Sequence, residues 1–283
     1  KIILLFGLFL SFCTFSQGEN NNWYFGNKAA VTFNTNPPTA LTNSEMNMEE
    51  GVATISKPNG ELLFYTNGVD IWNRDHQIMT NGTGLTGHQS TQQVLILPHP
   101  GNTDLYYVFS MSEYQFVTTN ISYSVVDMSL GGLGIIDGKP LGAVTNDKNI
   151  ALKDETGQPL TYPTEAVTAV LHNDNISYLV LVPNGENLYS YRLDSNGFNN
   201  NPVTSDLENP FPFHNLGEIK ASPNLPLNMG LSYTNLISIS RWGGNGNVVH
   251  VYSFHNYTGK LSKNNDSENF DYFYEHYDYI DGF

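Results

Sequence analysis

Val52-Ala53-Thr54-Ile55-Ser56, a Pro58-Asn59-Gly60 turn, Leu62-Leu63-Phe64-Tyr65-Thr66, Asn67-Gly68, and then Val69-Asp70-Ile71-Trp72-Asn73 form the stretch that decides the fold class. Three short runs rich in β-branched and aromatic residues alternate with Gly, Asn and Pro, which is the composition of adjacent antiparallel strands. Asn67-Gly68 between two such runs predicts a tight two-residue hairpin with φ > 0 at both turn residues.

Working outward, the order strand, polar turn, strand, loop, strand is found four times. The second unit runs through residues 94–97, a Pro98-His99-Pro100-Gly101-Asn102 turn, and residues 105–110 and 121–127. The third uses residues 166–171, the turn His172-Asn173-Asp174-Asn175, and residues 178–182 and 188–194. The fourth uses residues 217–224, 236–240 and 248–254. Ahead of them, Trp23-Tyr24-Phe25-Gly26 and Val31-Thr32-Phe33 read as a first strand pair, closed by Pro37-Pro38, which cannot continue a ladder. No stretch keeps helical periodicity over three turns, so little helix is expected. The middle strands are unevenly spaced, and residues 130–162, rich in Gly, Asp and Lys, read as the longest insertion. Repeated small antiparallel sheets predict an all-β, β-propeller-like fold with WD40/YVTN-type blades, here an incomplete ring of four to five. Residues 269–283 read as a strand leading into a further unit, so the domain, residues 17–283, is expected to continue past its C-terminal end.

Residues 1–16 combine one basic residue, a short apolar run and a small residue at the end, the pattern of a cleaved secretory signal peptide. They contain the only cysteine, Cys13. A lipid-bearing role for Cys13 is disfavoured by bulky Phe12 before it, and the mature chain is then cysteine-free and without a transmembrane segment. The chain carries 27 acidic against 12 basic residues, a net charge of −15, which opposes binding to nucleic acid or anionic lipid over most of the surface. Its 17 Tyr and 16 Phe, with few charged residues, suit strands joined by polar uncharged loops.

Trp23-Tyr24-Phe25-Gly26-Asn27, the run from Gly60 to Gly68 and Ile71-Trp72-Asn73 resemble the propeller-like N-terminal region of large secreted proteins of Bacteroidetes. Ile219-Lys220-Ala221-Ser222-Pro223-Asn224 and the strand ending in Asn256-Tyr257-Thr258-Gly259 fit the same pattern. Proteins of that family typically end in a gliding-motility-associated sorting domain handled by the type IX secretion system, and no such domain lies within these residues. The resemblance implies a secreted or cell-surface location and a non-enzymatic adhesion or ligand-binding module, and it brings no catalytic residues with it.

His250 and His255 are too differently placed along a strand and its turn to share a metal, and His99 and His172 sit in turns where a backbone-bonded ring is the ordinary role. Asp70, Asp127, Asp174 and Asp194 fall at strand ends without a calcium-loop pattern and read as Asx-turn residues, leaving a structural calcium as the sharper alternative. A glycoside hydrolase needs two facing carboxylates, for which Glu49, Glu50, Asp70, Asp127, Glu165 and Glu218 are candidates. Glu165 and Glu218, each preceding a blade strand, are the pair expected to face a central channel. Among Trp23, Trp72 and Trp242, packing between blades is the commoner role, and Trp242, followed by Gly243-Gly244-Asn245-Gly246-Asn247, is the expected ligand-binding residue. The expected function is therefore exported adhesion to, or capture of, an extracellular carbohydrate or protein without a cofactor, with a glycan-active hydrolase as the rival.

Overall fold

The computed structural model describes residues 18–114, 120–207, 216–224, 235–242 and 248–262. Residues 1–17, which hold the expected signal peptide, residues 243–247 and residues 269–283 lie outside the described residues. Within them the protein is all-β, with no α-helix and a single 3₁₀ turn at Gly18–Asn20.

Among the described residues, five antiparallel sheets follow one another along the chain. The first has β1 (Asn22–Phe25), β2 (Ala29–Thr32) and β3 (Thr39–Leu41), and the second β4 (Ala53–Ser56), β5 (Leu62–Thr66) and β6 (Ile71–Asn73). The third is built on β7 (Leu95–His99), β8 (Asn102–Ser110) and β9 (Ser122–Asp127), with β10 (Ala143–Val144) and β11 (Ile150–Ala151) both pairing with β9. The fourth has β12 (Thr168–Leu171), β13 (Tyr178–Asn184), β14 (Asn187–Asp194), β15 (Gly197–Phe198) and β16 (Val203–Asp206). The fifth has β17 (Leu216–Ala221), β18 (Asn235–Trp242), β19 (Val248–His255) and β20 (Lys260–Leu261).

The strands expected from the four repeat units are all present, and two details differ. Asn67-Gly68 is no two-residue hairpin: β5 and β6 are joined by residues 67–70, and only Gly68 has positive φ, at 80°. The Asn67 side chain explains the longer turn, since its Oδ1 accepts hydrogen bonds from the Val69 and Asp70 N–H groups at 3.0 and 2.8 Å. The expected 130–162 insertion is in part sheet, because Ala143–Val144 and Ile150–Ala151 extend the third sheet along β9.

Among the described residues, four apolar cores lie between successive sheets. Tyr24, Ala30 and Met46 meet Tyr65 and Trp72 between the first and second; Phe64 and Ile71 meet Val108 and Val126 between the second and third. Phe109 and Val125 meet Val180 and Tyr191 between the third and fourth; Leu179 and Leu181 meet Ile237 and Phe254 between the fourth and fifth. The period of two in a strand explains this division. Along β13, Val180 and Val182 point to one core while Leu179 and Leu181 point to the other. An interior sheet buried on both faces needs a near-continuous apolar run, and residues 178–182 supply one.

Polar stitches join the sheets where apolar packing ends. Asn22 Nδ2 donates to Ser56 Oγ at 2.9 Å and to the Gly60 carbonyl at 2.8 Å, tying β1 to the second sheet. Buried Gln93, just ahead of β7, accepts at Oε1 from the N–H groups of Val167 and Ile219, both at 3.1 Å. One amide side chain thus ties the lead-in of the third sheet to the lead-in of the fourth and to the first strand of the fifth.

Candidate functional site: an exposed aromatic face and a buried carboxylate

Strand β1 alternates in burial, so consecutive side chains leave it on opposite sides. Tyr24 points inward and stacks on Tyr65 with ring centroids 4.3 Å apart, and Tyr65 stacks in turn on Trp72 at 5.5 Å. Burial, reinforced by the neighbouring Tyr65, pushes the Tyr24 phenol up to about 12. On the outer side stand Trp23 and Phe25, with Phe33 just past the end of β2. Trp23 is 54% exposed, its ring lies 5.0 Å from that of Phe33, and its Nε1 donates to the Asn20 carbonyl at 3.0 Å. A cleft of about 300 Å³ opens beside Trp23 and Phe25, walled also by Asn20, Asn22, Tyr24, Val52 and Thr54. Two exposed rings next to amide and hydroxyl groups are what a sugar ring requires, an apolar face to stack on and polar atoms for its hydroxyls.

The tryptophans thus divide differently from expectation. Trp72 packs between sheets as expected, whereas Trp23 belongs to the exposed face. Trp242 is the last residue of β18, opposite Leu216; its side chain and the following loop lie outside the described residues. The signal for Trp23 was available in the alternation of Asn22-Trp23-Tyr24-Phe25, in which one aromatic pair must face away from the core.

Among the acids, Glu165 stands apart. It sits between Thr164 and Ala166 ahead of β12, with a left-handed backbone of φ 62° and 1% exposure. Its Oε2 accepts the Gln92 N–H at 3.0 Å and its Oε1 the Tyr114 N–H at 2.8 Å, so the carboxylate ties two loops of the third sheet to the entry of the fourth. Burial pushes its carboxyl up to about 7 against these two hydrogen bonds, with the charges of Glu50 and Glu113 adding to the rise. Gln92 also donates from Nε2 to Glu50 Oε2 at 2.6 Å, so one residue bridges both glutamates. Glu50 is itself raised by burial and by its neighbour Glu49. Glu113 lies 3.6 Å from His88 Nδ1, which is 2.8 Å from Ser90 Oγ.

The expected partner of Glu165 is placed elsewhere. Glu218 lies on the exposed side of β17, between buried Gly217 and Ile219, and its backbone N–H donates to Ser240 Oγ at 3.2 Å. The carboxylates that bear on Glu165 are Glu50 and Glu113. Asp127, Asp174 and Asp194 each accept a backbone N–H two residues on, at 2.8, 2.9 and 2.8 Å, which makes them turn residues. Asp70 contributes its carbonyl to the Thr66 hydroxyl at 2.7 Å. His99 Nδ1 accepts the Gly101 N–H at 2.9 Å and His172 Nδ1 the Asp174 N–H at 3.2 Å. His250 is buried opposite Ile239, while His255 pairs with Lys260. Among the described residues, no group of three His, Cys, Asp or Glu side chains is placed to hold a metal ion.

No protein-family model, no curated protein and no solved structure matches the chain.

Proposed function

We propose that this protein is an exported, non-enzymatic binding module of β-propeller type, and that it captures an extracellular carbohydrate on the Trp23 face. The observation that carries the reading is the exposed Trp23 and Phe25 rings at the cleft, with Phe33 against Trp23. The propeller arrangement draws support from the order of the sheets, each packed face to face on the next. Gln93, which ties the entries of three sheets at one point, favours a radial rather than a two-layer arrangement. Export through the signal peptide and kinship with type IX-secreted, gliding-motility-associated proteins of Bacteroidetes are parts of the same proposal, and they rest on the sequence.

A glycan-active hydrolase is the second reading, favoured by a carboxyl raised to about 7 that shares Gln92 with a second acid. One experiment separates the two. The protein is screened on a glycan array beside Trp23→Ala and Trp242→Ala, and release of reducing sugar is assayed on the same polysaccharides. Capture without release, lost in Trp23→Ala, supports the binding module. Sugar release abolished by Glu165→Gln overturns it.

A further inference from the structure

A cavity of about 650 Å³ opens between the second and third sheets, in the size range of small-molecule pockets. Its walls are largely apolar, with Ile55 from β4, Leu63 from β5, Tyr106 from β8, Met128 just past β9, and Pro140. The Pro140 wall is fixed in place, because Arg74 holds the loop of residues 131–142 between β9 and β10. Arg74, whose side chain is nearly buried, donates from Nη1 to the Pro140 carbonyl at 2.7 Å and from Nη2 to Asp137 Oδ1 at 2.7 Å and the Lys139 carbonyl at 2.8 Å. The arms of the loop are laddered as well: Leu141 N–H donates to the Gly132 carbonyl at 2.8 Å and Gly142 N–H to that of Leu130 at 2.9 Å. A wall ordered in advance lowers the entropic cost of binding.

The charges on the lining decide what fits. Among the described residues, Lys57, Arg74 and Lys139 line the cavity together with Glu19 and Asp104. Each cation is answered by an acid outside the lining. Arg74 pairs with Asp137 at 2.7 Å and Lys57 with Glu61 at 2.9 Å. Exposed Lys139 acts on the same two acids, helping to hold both carboxyls below their ordinary values. His99, also in the lining, accepts the Gly101 N–H at Nδ1, the arrangement of an uncharged ring. The two carboxylates of the lining have no such counterpart: neither Glu19 nor Asp104 makes an ion pair within 4 Å among the described residues. Glu19 Oε2 is moreover buried and accepts no hydrogen bond among them. Both charges bear on one point of the wall, since the Tyr106 phenol is pushed up by burial and then by Asp104 and Glu19. An apolar cavity thus carries an uncompensated negative field at one side and, within it, a buried acceptor that lacks a donor.

We infer that this cavity is a binding site for a small organic cation with an apolar body, an aryl- or alkylamine, whose ammonium pairs with Glu19 while its hydrocarbon part lies against Ile55, Leu63 and Met128. Exposed Asp104 adds to the attraction. The same field turns carboxylates and phosphates away, and the net charge of −15 draws cations toward the surface from further off. The inference goes beyond the glycan reading and is independent of it, since the Trp23 face is built on the first sheet and this cavity lies between the second and third.

The test is isothermal titration of the full chain with tryptamine, phenethylamine and octylamine. Beside them run phenethyl alcohol and hydrocinnamate, which keep an apolar body of similar size while removing or reversing the charge. At least one amine is expected to bind about tenfold or more tightly than the alcohol, with hydrocinnamate weaker still. Glu19→Gln is expected to weaken that amine about tenfold or more and to leave the alcohol unchanged, whereas Lys139→Glu, which removes the opposing charge, is expected to tighten it several-fold. Glu19 is partly and Lys139 largely exposed, so both variants keep the fold, which a matching thermal melt verifies. No binding by any of the amines, an alcohol that binds as tightly as its amine, or amine binding indifferent to Glu19→Gln overturns the proposal. A lysine-rich peptide whose binding depends on Glu19 where the free amines do not bind also overturns it, and assigns the cavity to a basic segment of a second protein.

Discussion

Replacing Glu165 by Gln is expected to change how stability depends on pH. Folding raises this carboxyl from an ordinary value of 4.5 to about 7, chiefly by burial. Between those values the folded state holds the proton more tightly than the unfolded one, so stability falls as pH rises. The contribution is fully present below pH ~4.5 and is lost as pH passes through ~7, because the ionised carboxylate must then be kept away from water beside Glu50 and Glu113. A shift of some two to three units corresponds to about 3 kcal/mol, with a limiting slope of about 1.4 kcal/mol per pH unit. Glu165→Gln removes that titration. It also adds a pH-independent penalty, since the new amide NH₂ must face one of the two N–H groups, of Gln92 or Tyr114, that now donate to the carboxylate. The readout is therefore the difference in slope. Urea unfolding of both proteins is measured from pH 4.5 to 8.5, and the advantage of the wild type over the variant is expected to shrink by about 3 kcal/mol across the series. His76, held below its ordinary 6.5 by burial, contributes with the opposite sign but does so in both proteins and cancels. Parallel curves for the two proteins would refute the reasoning.

Gln93→Leu leaves the buried N–H groups of Val167 and Ile219 without their acceptor, and a loss of about 2–4 kcal/mol is expected in equilibrium unfolding, against no loss if water replaces the amide. Phe109→Ala empties a fully buried ring site between the third and fourth sheets and is expected to lower stability by about 3–5 kcal/mol on the same measurement. Gly68→Ala puts a side chain at φ 80° and within 2.9 Å of Val94 Cγ2, with an expected cost of about 1–3 kcal/mol and a lower melting temperature. Arg74→Ala releases the 131–142 loop, so limited proteolysis is expected to cut there in the variant and to spare the wild type.

The strands were legible because their signal is local. Residues 62–66, 105–110, 178–182 and 188–194 carry β-formers between turn residues, and each lies within a strand. The four inter-sheet cores were legible only in part. The near-continuous apolar run of β13 says that both faces are buried but not against which neighbour. Two-residue strands such as β10 and β11 left no mark, since their place is set by the length of β9 rather than by their own composition. The site was the least legible. Nothing in Thr164-Glu165-Ala166 announces a left-handed, buried glutamate, because its burial comes from Gln92 and Tyr114, which are far from it in sequence. Glu218 looked equivalent to it, but strand alternation puts Glu218 outward.

A carboxyl raised to about 7 invites the name of general acid, and the geometry around Glu165 argues against giving it that name on the titration alone. A general acid must reach a substrate oxygen within about 3 Å, which needs an approach from the solvent side. At 1% exposure Glu165 offers no such approach, and each of its oxygens already accepts a backbone N–H. Burial accounts for the shift without any catalytic purpose, as it does for other polar groups that hold loops together. The Trp23 face has the opposite character, exposed rings on the solvent side of β1 with no carboxyl or imidazole among the described residues of the cleft walls. If glycan capture maps to Trp23 while Glu165→Gln alters only the pH dependence of unfolding, the two halves of the site have separate physical jobs, one to hold the ligand and one to hold the sheets.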